Sequence, residues 1–206
     1  MIARRGVCLV LAAASGTGKT SLSRRMIAAD SNLALSISMT TRAPRDGEVD
    51  GVHYLFRTQA EFDALVAGNG FLEHAHVFGR SYGTPRAPME SALAAGHDVL
   101  FDIDWQGHRL LRAALPGDVV GVFILPPSVD VLASRLRGRG DPADAVARRM
   151  AAAVAEMSHA GEFDHVLVND DFDTSVGELT AILGAARSAR HRLIGLGGVL
   201  AGMGVG

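Results

Sequence analysis

Cysteine is nearly absent from the sequence: Cys8 is the one cysteine among 206 residues, so no disulfide can form within the chain. Cys8 lies in the apolar run GVCLVLAAA, where a cysteine is typically a buried and inert thiol. Hydrophobic residues make up 48% of the chain, which is enough for a substantial core. We therefore expect one domain stabilised by its core, in the reducing environment of a cytoplasm.

A strong net charge is missing too. The 20 lysines and arginines nearly balance the 22 aspartates and glutamates, which leaves a formal net charge of −2. Nucleic acids and anionic membranes bind proteins largely through an excess of positive charge. We therefore expect neither as a partner, and any site for an anion must be local.

Long hydrophobic runs are also lacking, since no stretch reaches the roughly 18 apolar residues of a membrane span. The first residues, MIARRGVCLVLAAASG, mimic a secretory signal with two arginines, a short apolar run and small residues. The glycine-rich SGTGKT follows at once and needs that run as its supporting strand, so we favour a strand. The glycine-rich residues 193–206 are predicted to be a flexible tail.

Short apolar runs alternate with amphipathic stretches along most of the chain. Buried strands are predicted at 6–12, 98–104, 119–125 and 165–169, and helices at 19–29, 87–96, 128–140, 142–158 and 174–192. This alternation predicts an α/β fold with a parallel sheet and right-handed crossovers. Residues 33–83 differ, because short strands and turns there surround one helix at 58–67, opened by a Thr58–Glu61 capping box. They are predicted to form an insertion.

The stretch AAASGTGKT, residues 12–20, lies between a predicted strand and a predicted helix, which is the context of a Walker A phosphate loop. Gly16 and Gly18 let successive N–H groups surround phosphate oxygens. In such a loop Lys19 bridges the β- and γ-phosphates of ATP, and Thr20 binds Mg²⁺. Ala13 stands where the pattern has its first glycine, which costs stability only if φ is positive there. The predicted nucleotide-binding residues of the loop are Ala14, Ser15, Gly16, Thr17, Gly18, Lys19, Thr20 and Ser21.

A second anion site is indicated by SISMTTRAPRDGEVDGVHYLF, residues 36–56. Arg42 and Arg45 flank a proline, hydroxyl residues precede them and Tyr54 follows. Two guanidiniums at this spacing can form a fork around one dianion. The alternative is a solvated, charged surface turn.

Further polar groups occur downstream of this stretch. Asp102 and Asp104 follow a predicted strand, and strand alternation predicts that they share one face. The other polar groups are Glu73, Tyr82, Thr84, Arg135, Arg139, Arg148 and Arg149.

Taken together, residues 6–185 resemble the guanylate kinases. The resemblance rests on SGTGKT, SMTTRAPRDGEVDGVHY, FLEHAHVFGRSYGT, DIDWQG, LPPS, RLRGRG and VND, in the order of that family. It implies a P-loop kinase core with a five-stranded parallel sheet flanked by helices, built from 1–36, 91–129 and 156–192. It also implies an inserted mixed-β subdomain for GMP at 37–90 and a helical lid at 130–155.

The resemblance also implies residue roles. In the acceptor site Glu73 would accept hydrogen bonds from guanine N1 and N2, while Ser38 and Thr84 would donate to O6. The GMP phosphate would be held by Arg42, Arg45, Tyr54 and Tyr82. Asp102 and Asp104 would serve the Mg²⁺ shell and the acceptor side of the cleft, with Asp104 joining Thr20 at the metal and their separate roles left open. Lid residues Arg135, Arg139 and Arg149 would stabilise the transferring phosphoryl group, and Asn169 would lie near adenine.

The implied reaction is transfer of the γ-phosphoryl group of ATP to GMP, and to dGMP, giving GDP and ADP with Mg²⁺ as cofactor. It would serve purine metabolism and GMP recycling. Two alternatives stay open: a non-catalytic module that binds a phosphorylated partner, and a kinase for another phosphorylated acceptor. The chain could be a monomer or a homodimer.

Overall fold

The structure is a computed structural model, and its strands differ widely in length. The residues described are 2–77, 79–138 and 143–204. The strands are β1 (Ala3–Arg4), β2 (Cys8–Ala13), β3 (Leu33–Leu35), β4 (Met39–Thr40), β5 (Leu55–Phe56), β6 (Phe71–Val77), β7 (Arg80–Pro85), β8 (Asp98–Asp102), β9 (Val119–Leu125), β10 (His165–Val168) and β11 (Leu193–Ile194).

The helices alternate with these strands. They are α1 (Lys19–Ala29), α2 (Gln59–Ala67), α3 (Arg86–Ala94), α4 (Trp105–Ala114), α5 (Val129–Arg137), α6 (Ala143–Met157), α7 (Phe172–Ser188) and α8 (Leu196–Gly202), with 3-10 turns at Ala160–Glu162 and Arg190–Arg192. None of these helices is both long and apolar enough to cross a membrane.

The central sheet has five parallel strands in the order β10-β9-β2-β8-β3, which confirms the predicted fold class. Its middle strand β2 is a continuous apolar run, and residues 7–12 are fully buried. Such a run is expected where helices cover both faces of a parallel sheet. One face packs Phe101 and Phe123, and the other packs against α1 and α7 through Leu22 and Leu179. Burial within this core raises the pKa of the Cys8 thiol to about 12.

A second, mixed sheet lies within residues 39–85, the part of the chain predicted to be an insertion. Its strand order is β5-β4-β7-β6, with β4 and β5 parallel and the other pairs antiparallel. The helix α2 begins with the predicted capping box, because Thr58 and Glu61 each accept a hydrogen bond from the backbone of the other. Phe62 of α2 stacks on Phe71 of β6, which fixes the helix against the sheet.

The predicted end of the chain differs from the structure. The last long helix begins at Phe172, after the N-cap Asp171, and stops at Ser188 rather than 192. The residues expected to form a flexible tail instead begin with β11, which pairs with β1, and continue into α8. The cause is a long-range pairing with residues 3–4, which the local glycine content does not reveal. Pro142, the first residue of the helix predicted at 142–158, lies outside the described residues.

Asp98 connects β1 near the N-terminus to the end of α7 through ion pairs with Arg4 and Arg187. Its side chain is fully buried, and its two oxygens each lie 2.7 Å from a different nitrogen of Arg4. It also accepts hydrogen bonds from Arg187 and from the Val7 and Asn32 nitrogens. Burial disfavours the charge of Asp98, but these hydrogen bonds outweigh it, so its pKa lies below the ordinary value.

Replacing Asp98 by asparagine should lower the free energy of unfolding at neutral pH by about 3 kcal/mol, because two arginines lose their buried counter-charge. A carboxylate with a lowered folded pKa stabilises fully above its unfolded pKa of about 3.9 and loses that effect as pH falls through the folded value. Urea unfolding should therefore show the difference at neutral pH and its loss in acid. The exposed Asp46→Asn is the control. Equal stabilities of Asp98→Asn and wild type at neutral pH would contradict the prediction.

Candidate active site

The phosphate loop connects β2 to α1 at the carboxyl end of the central strand. Gly16 and Gly18 have φ of 98° and 99°, a region that other residues rarely adopt. A cavity of about 360 Å³ opens there. It is lined by Ala13, Ala14, Ser15, Gly16, Thr17, Gly18, Lys19, Thr20, Ser21, Asp104 and Glu156. The structure thus places every loop residue predicted from the sequence around one cavity, at the N-terminus of a helix, where anions are favoured.

Ala13 does not strain this loop. Asn69 is the one non-glycine residue with positive φ among those the structure describes, so Ala13 has an ordinary backbone conformation. It is the last residue of β2 and pairs with Ile124 of β9. An alanine in place of glycine therefore carries no conformational cost here.

Lys19 joins the loop to the end of β8. Its Nζ lies 2.6 Å from Asp102 Oδ1 and donates to the Ile103 carbonyl at 3.0 Å. The Thr20 hydroxyl lies 3.5 Å from the other Asp102 oxygen. Asp102 therefore faces both the lysine and the hydroxyl expected at the metal. Lys19 is also the only lysine in the chain.

The two aspartates do not share a strand face, which corrects the prediction from strand alternation. Strand β8 ends at Asp102, and Asp104 is the N-cap of α4, where its carboxylate accepts the Gly107 N–H at 2.9 Å. Asp104 nevertheless lines the phosphate cavity. The helix cap, rather than the pleat, directs its side chain into the cleft.

Two of the three predicted lid arginines reach the phosphate loop. Arg149 on α6 donates to the Ser15 hydroxyl at 2.9 Å, and Arg135 on α5 lies 3.4 Å from the Thr17 carbonyl. Arg139 lies outside the described residues. Arg148 points elsewhere, because it forms an exposed pair with Asp144.

Glu156 is a cleft residue that the sequence analysis missed. It lies on α6, lines the phosphate cavity, and is close enough to the Ser15 backbone N–H for that group to stabilise its charge. Burial raises the pKa of Glu156 above its ordinary value, while the positive charge of Lys19 opposes this shift. A carboxylate thus meets an N–H group of a loop built for phosphate. The sequence offers one signal for this position: Glu156 follows Arg149 by seven residues, which places both side chains on one face of α6.

Asn169 supports the phosphate loop through a side-chain hydrogen bond. Its Nδ2 donates to the Thr17 carbonyl at 2.6 Å, and its Oδ1 accepts from the Ser175 hydroxyl. A Cβ at Gly18 would lie 2.5 Å from this Nδ2, so glycine is required there for packing as well as for φ. In the structure Asn169 is a buried support of the loop, and its contact with adenine stays a prediction.

Asn169→Ala should weaken ATP binding about tenfold, because the Thr17 carbonyl loses its shorter hydrogen bond and keeps only the longer one to Arg135, so the loop loses its support. Isothermal titration with ATP measures this. Ser175→Ala, which removes only the outer hydrogen bond, should have a smaller effect. An unchanged ATP affinity in Asn169→Ala would show that the loop does not depend on this side chain.

A second cavity of about 280 Å³ lies between the inserted subdomain and α4. It is lined by Ser38, Glu73, Ala75, Tyr82, Gly83, Ile103, Asp104, Gln106, Gly107 and Leu110. Asp104 also lines the phosphate cavity, so the two cavities adjoin. Gln106 is a further polar group here that was not predicted.

Among the residues that the structure describes, Glu73 is the only carboxylate that the second sheet contributes to this second cavity. The Thr84 hydroxyl donates to Glu73 Oε1 at 2.6 Å, so its single hydrogen orients the carboxylate. Thr84 therefore supports Glu73 in this structure, and Ser38 is the hydroxyl that lines the cavity. Burial raises the pKa of Glu73, and the Thr84 hydrogen bond opposes that shift.

The predicted phosphate fork is only partly assembled. The guanidinium carbon of Arg42 lies 5.4 Å from the centroid of the Tyr54 ring, and the pKa of Arg42 is raised by Glu48 and, to a smaller extent, by the nearby Tyr82. Its Nη2 also donates to Glu48 at 2.8 Å, and the Arg45 backbone N–H donates to the same carboxylate. Arg42 lowers the pKa of Glu48 to about 2. The structure brings Arg42, Tyr54 and Tyr82 together, but the side chain of Arg45 makes no hydrogen bond or ion pair to the described residues.

A parallel sheet with its phosphate loop after the central strand, arginines of α5 and α6 at that loop, and a second sheet beside a polar cavity define the class of P-loop nucleoside monophosphate kinases. A family model described as guanylate kinase matches residues 5–186. A relative named guanylate kinase from Granulibacter bethesdensis is 59% identical over 201 residues, covering 94% of both chains. Another from Gluconobacter oxydans is 56% identical, covering 92% of this chain and 91% of its own.

A solved structure agrees with these sequence matches. The crystal structure of guanylate kinase from Anaplasma phagocytophilum superimposes with a TM-score of 0.75 at 34% identity, covering 97% of this chain and 96% of its own. The chain belongs to the guanylate kinase family.

Proposed function

We propose that the protein transfers the γ-phosphoryl group of ATP to GMP, giving ADP and GDP. The observation that carries this proposal is the pair of adjoining cavities that share Asp104, one built from the phosphate loop and one around Glu73. A nucleotide on the loop and a guanine at Glu73 would bring donor and acceptor phosphates into one cleft. Positioning and electrostatic stabilisation supply most of the catalysis in such reactions.

In the proposed acceptor site the Glu73 carboxylate accepts from guanine N1 and N2, and Ser38 donates to O6. Adenine presents the opposite pattern at these positions, so it would leave the buried carboxylate unpaired. Arg42, Tyr54 and Tyr82 hold the GMP phosphate, with Arg45 joining them when the phosphate is present. The negative charge of the phosphate replaces that of Glu48 as the partner of Arg42.

In the proposed donor site the loop N–H groups and Lys19 bind the ATP phosphates, and Arg135, Arg139 and Arg149 approach the transferring group from the lid. Mg²⁺ fits the oxygen donors present: the Thr20 hydroxyl, Asp102 and Asp104. Mg²⁺ commonly keeps several waters and uses one or two carboxylates with substrate phosphates, so a denser cluster of ligands is not needed. When bound, the metal would neutralise charge on the β- and γ-phosphates.

The finer parts of the proposal follow from the same site. dGMP is an acceptor as well, because the base and phosphate contacts do not involve the 2′-hydroxyl. The enzyme acts in the cytoplasm in purine metabolism and GMP recycling, without nucleic acid or membrane as a partner, as a monomer or homodimer.

The test is an ADP-release assay with ATP and Mg²⁺ that compares GMP, dGMP, AMP, UMP and CMP. We expect turnover with GMP and dGMP, far slower turnover with the others, and loss of activity with a chelator. No GMP-dependent ADP release from folded protein would overturn the proposal and favour a non-catalytic module. Preference for AMP would mean that the base pocket is misassigned.

A further inference from the structure

The only tryptophan in the chain forms a stacked pair that the proposed mechanism does not use. The rings of Trp105 and His159 lie nearly parallel, at 12°, with centroids 3.6 Å apart. The guanidinium carbon of Arg109 lies 4.5 Å from the centroid of the same indole, within the range of a cation–π contact. Neither aromatic ring lines the phosphate or guanine cavity.

Glu162 closes this group of side chains. Its two oxygens accept from Nε and Nη2 of Arg109, each at 2.6 Å, and one of them also lies 2.7 Å from His159 Nδ1. Arg109, and His159 after it, lower the pKa of Glu162 to about 2, so the carboxylate stays charged. Trp105, Arg109, His159 and Glu162 therefore contact one another in a closed ring.

The position of this ring in the fold links the lid to the cleft. Trp105 directly follows Asp104, the cap of α4 that lines both cavities. His159 comes two residues after the end of α6, whose residues Arg149 and Glu156 both contact Ser15 of the phosphate loop. The stack thus attaches the end of the lid helix to the start of α4.

A small tilt at this attachment is amplified along α6. Arg149 lies eight residues before Met157, which is about 12 Å along a helix. A tilt of about 5° at the stack would therefore move Arg149 by about 1 Å, and a displacement of that size can cost a phosphoryl-transfer site about 10²-fold in rate.

We propose that Trp105 and His159 are positioning residues for phosphoryl transfer: their stack sets where α6 places Arg149 and Glu156 over the phosphate loop. The inference rests on the proposed kinase activity. Stacking, rather than the hydrogen bond to Glu162, is assigned the main role, because the parallel rings fix both the spacing and the tilt of the segment after α6.

The experiment compares His159→Ala with His159→Phe. Both variants lose the hydrogen bond to Glu162, but only phenylalanine keeps a ring against Trp105. We expect His159→Ala to lower kcat by about 10- to 100-fold with the KM for GMP nearly unchanged, and His159→Phe to recover most of kcat. A displaced lid admits water, which would accept some γ-phosphoryl groups in place of GMP, so that ATP is hydrolysed to ADP and phosphate. The ratio of ADP to GDP formed should therefore rise above one in His159→Ala alone.

A purely structural role predicts a different outcome. Both variants would then lose activity in proportion to their lowered Tm, with ADP and GDP falling in parallel and no recovery by phenylalanine. That result would overturn the proposal. Arg148→Ala, which removes an exposed ion pair on the same helix, is the matched control and should leave kcat unchanged.

Trp105 fluorescence separates failure of this inference from failure of the proposed function. The emission comes from a single indole, so it reports the stack without any turnover. We expect His159→Ala to change the emission of the free protein and His159→Phe to change it less. Identical emission in wild type and His159→Ala would show that the stack does not form and would refute the inference, even if the wild type phosphorylates GMP.

Discussion

Lys19→Met is expected to lower kcat by about 10³-fold, since the change removes the one positive charge that the phosphate loop itself contributes to the developing charge on the phosphates. Methionine keeps most of the apolar stem, so packing is retained. Lys19 lines the phosphate cavity, and Asp102 and the Ile103 carbonyl hold its ammonium at the end of β8. GMP binding, measured by titration, should change far less than turnover.

Two further variants make this test specific. Lys19→Arg keeps the charge but replaces a compact ammonium with a wider planar fork, so its kcat should lie between those of wild type and Lys19→Met. Arg24→Met removes the same charge from an exposed position of the same helix and should leave kcat unchanged. A kcat of Lys19→Met within tenfold of the wild-type kcat would contradict the assigned role.

The second large effect is expected at Glu73. Glu73→Gln should lower kcat/KM for GMP by about 10³-fold, because an amide nitrogen would face the N1 and N2 donors of guanine and leave them unpaired. The KM for ATP should stay the same, since the phosphate cavity is untouched. Glu90→Gln, at an exposed position on α3, is the matched control. An equal loss of kcat/KM for GMP and for ATP would point to misfolding instead.

The pH dependence of GMP binding follows from the environment of Glu73. Burial raises its pKa above the ordinary value, and only the carboxylate can accept two hydrogen bonds from guanine. GMP affinity should therefore be full above the raised pKa and fall as pH drops through it, starting at a higher pH than an ordinary glutamate would give. The KM for GMP measured between neutral and acid pH should show this rise in wild type. In Glu73→Gln the rise should be smaller, because only protonation of the GMP phosphate, whose second pKa is about 6, remains.

The fold was largely predictable because its signals are local. The apolar run of β2, the capping box of Thr58 and Glu61, and the Ser128 cap of α5 each involve residues within a few positions of one another. The two exceptions have different causes: one is a long-range strand pairing, and the other is the local N-cap of α4, a helix that was not predicted. β11 forms because residues 193–194 pair with residues 3–4, and α4 turns Asp104 away from the strand pattern.

The residues of the candidate site could also be predicted in part, whereas the contacts between them could not. Residue types and the order of the motifs, read together with the resemblance to guanylate kinases, predicted the phosphate loop and the residues around Glu73. The partners of those residues were not predicted. Thr84 was expected to donate to guanine but donates to Glu73, Arg42 meets Glu48, and Asn169 supports Thr17.

By itself the sequence determined the phosphate loop and the alternating core, because these depend on backbone conformation and periodicity over short stretches. The residue types predicted for the acceptor site came from the resemblance to guanylate kinases. Only the tertiary structure decided which residues meet in and around the cleft: Lys19 with Asp102, Arg149 and Glu156 with Ser15, and His159 with Trp105. These contacts join residues separated by 54 to 141 positions. Their geometry depends on how helices pack on the sheet, which no local pattern specifies.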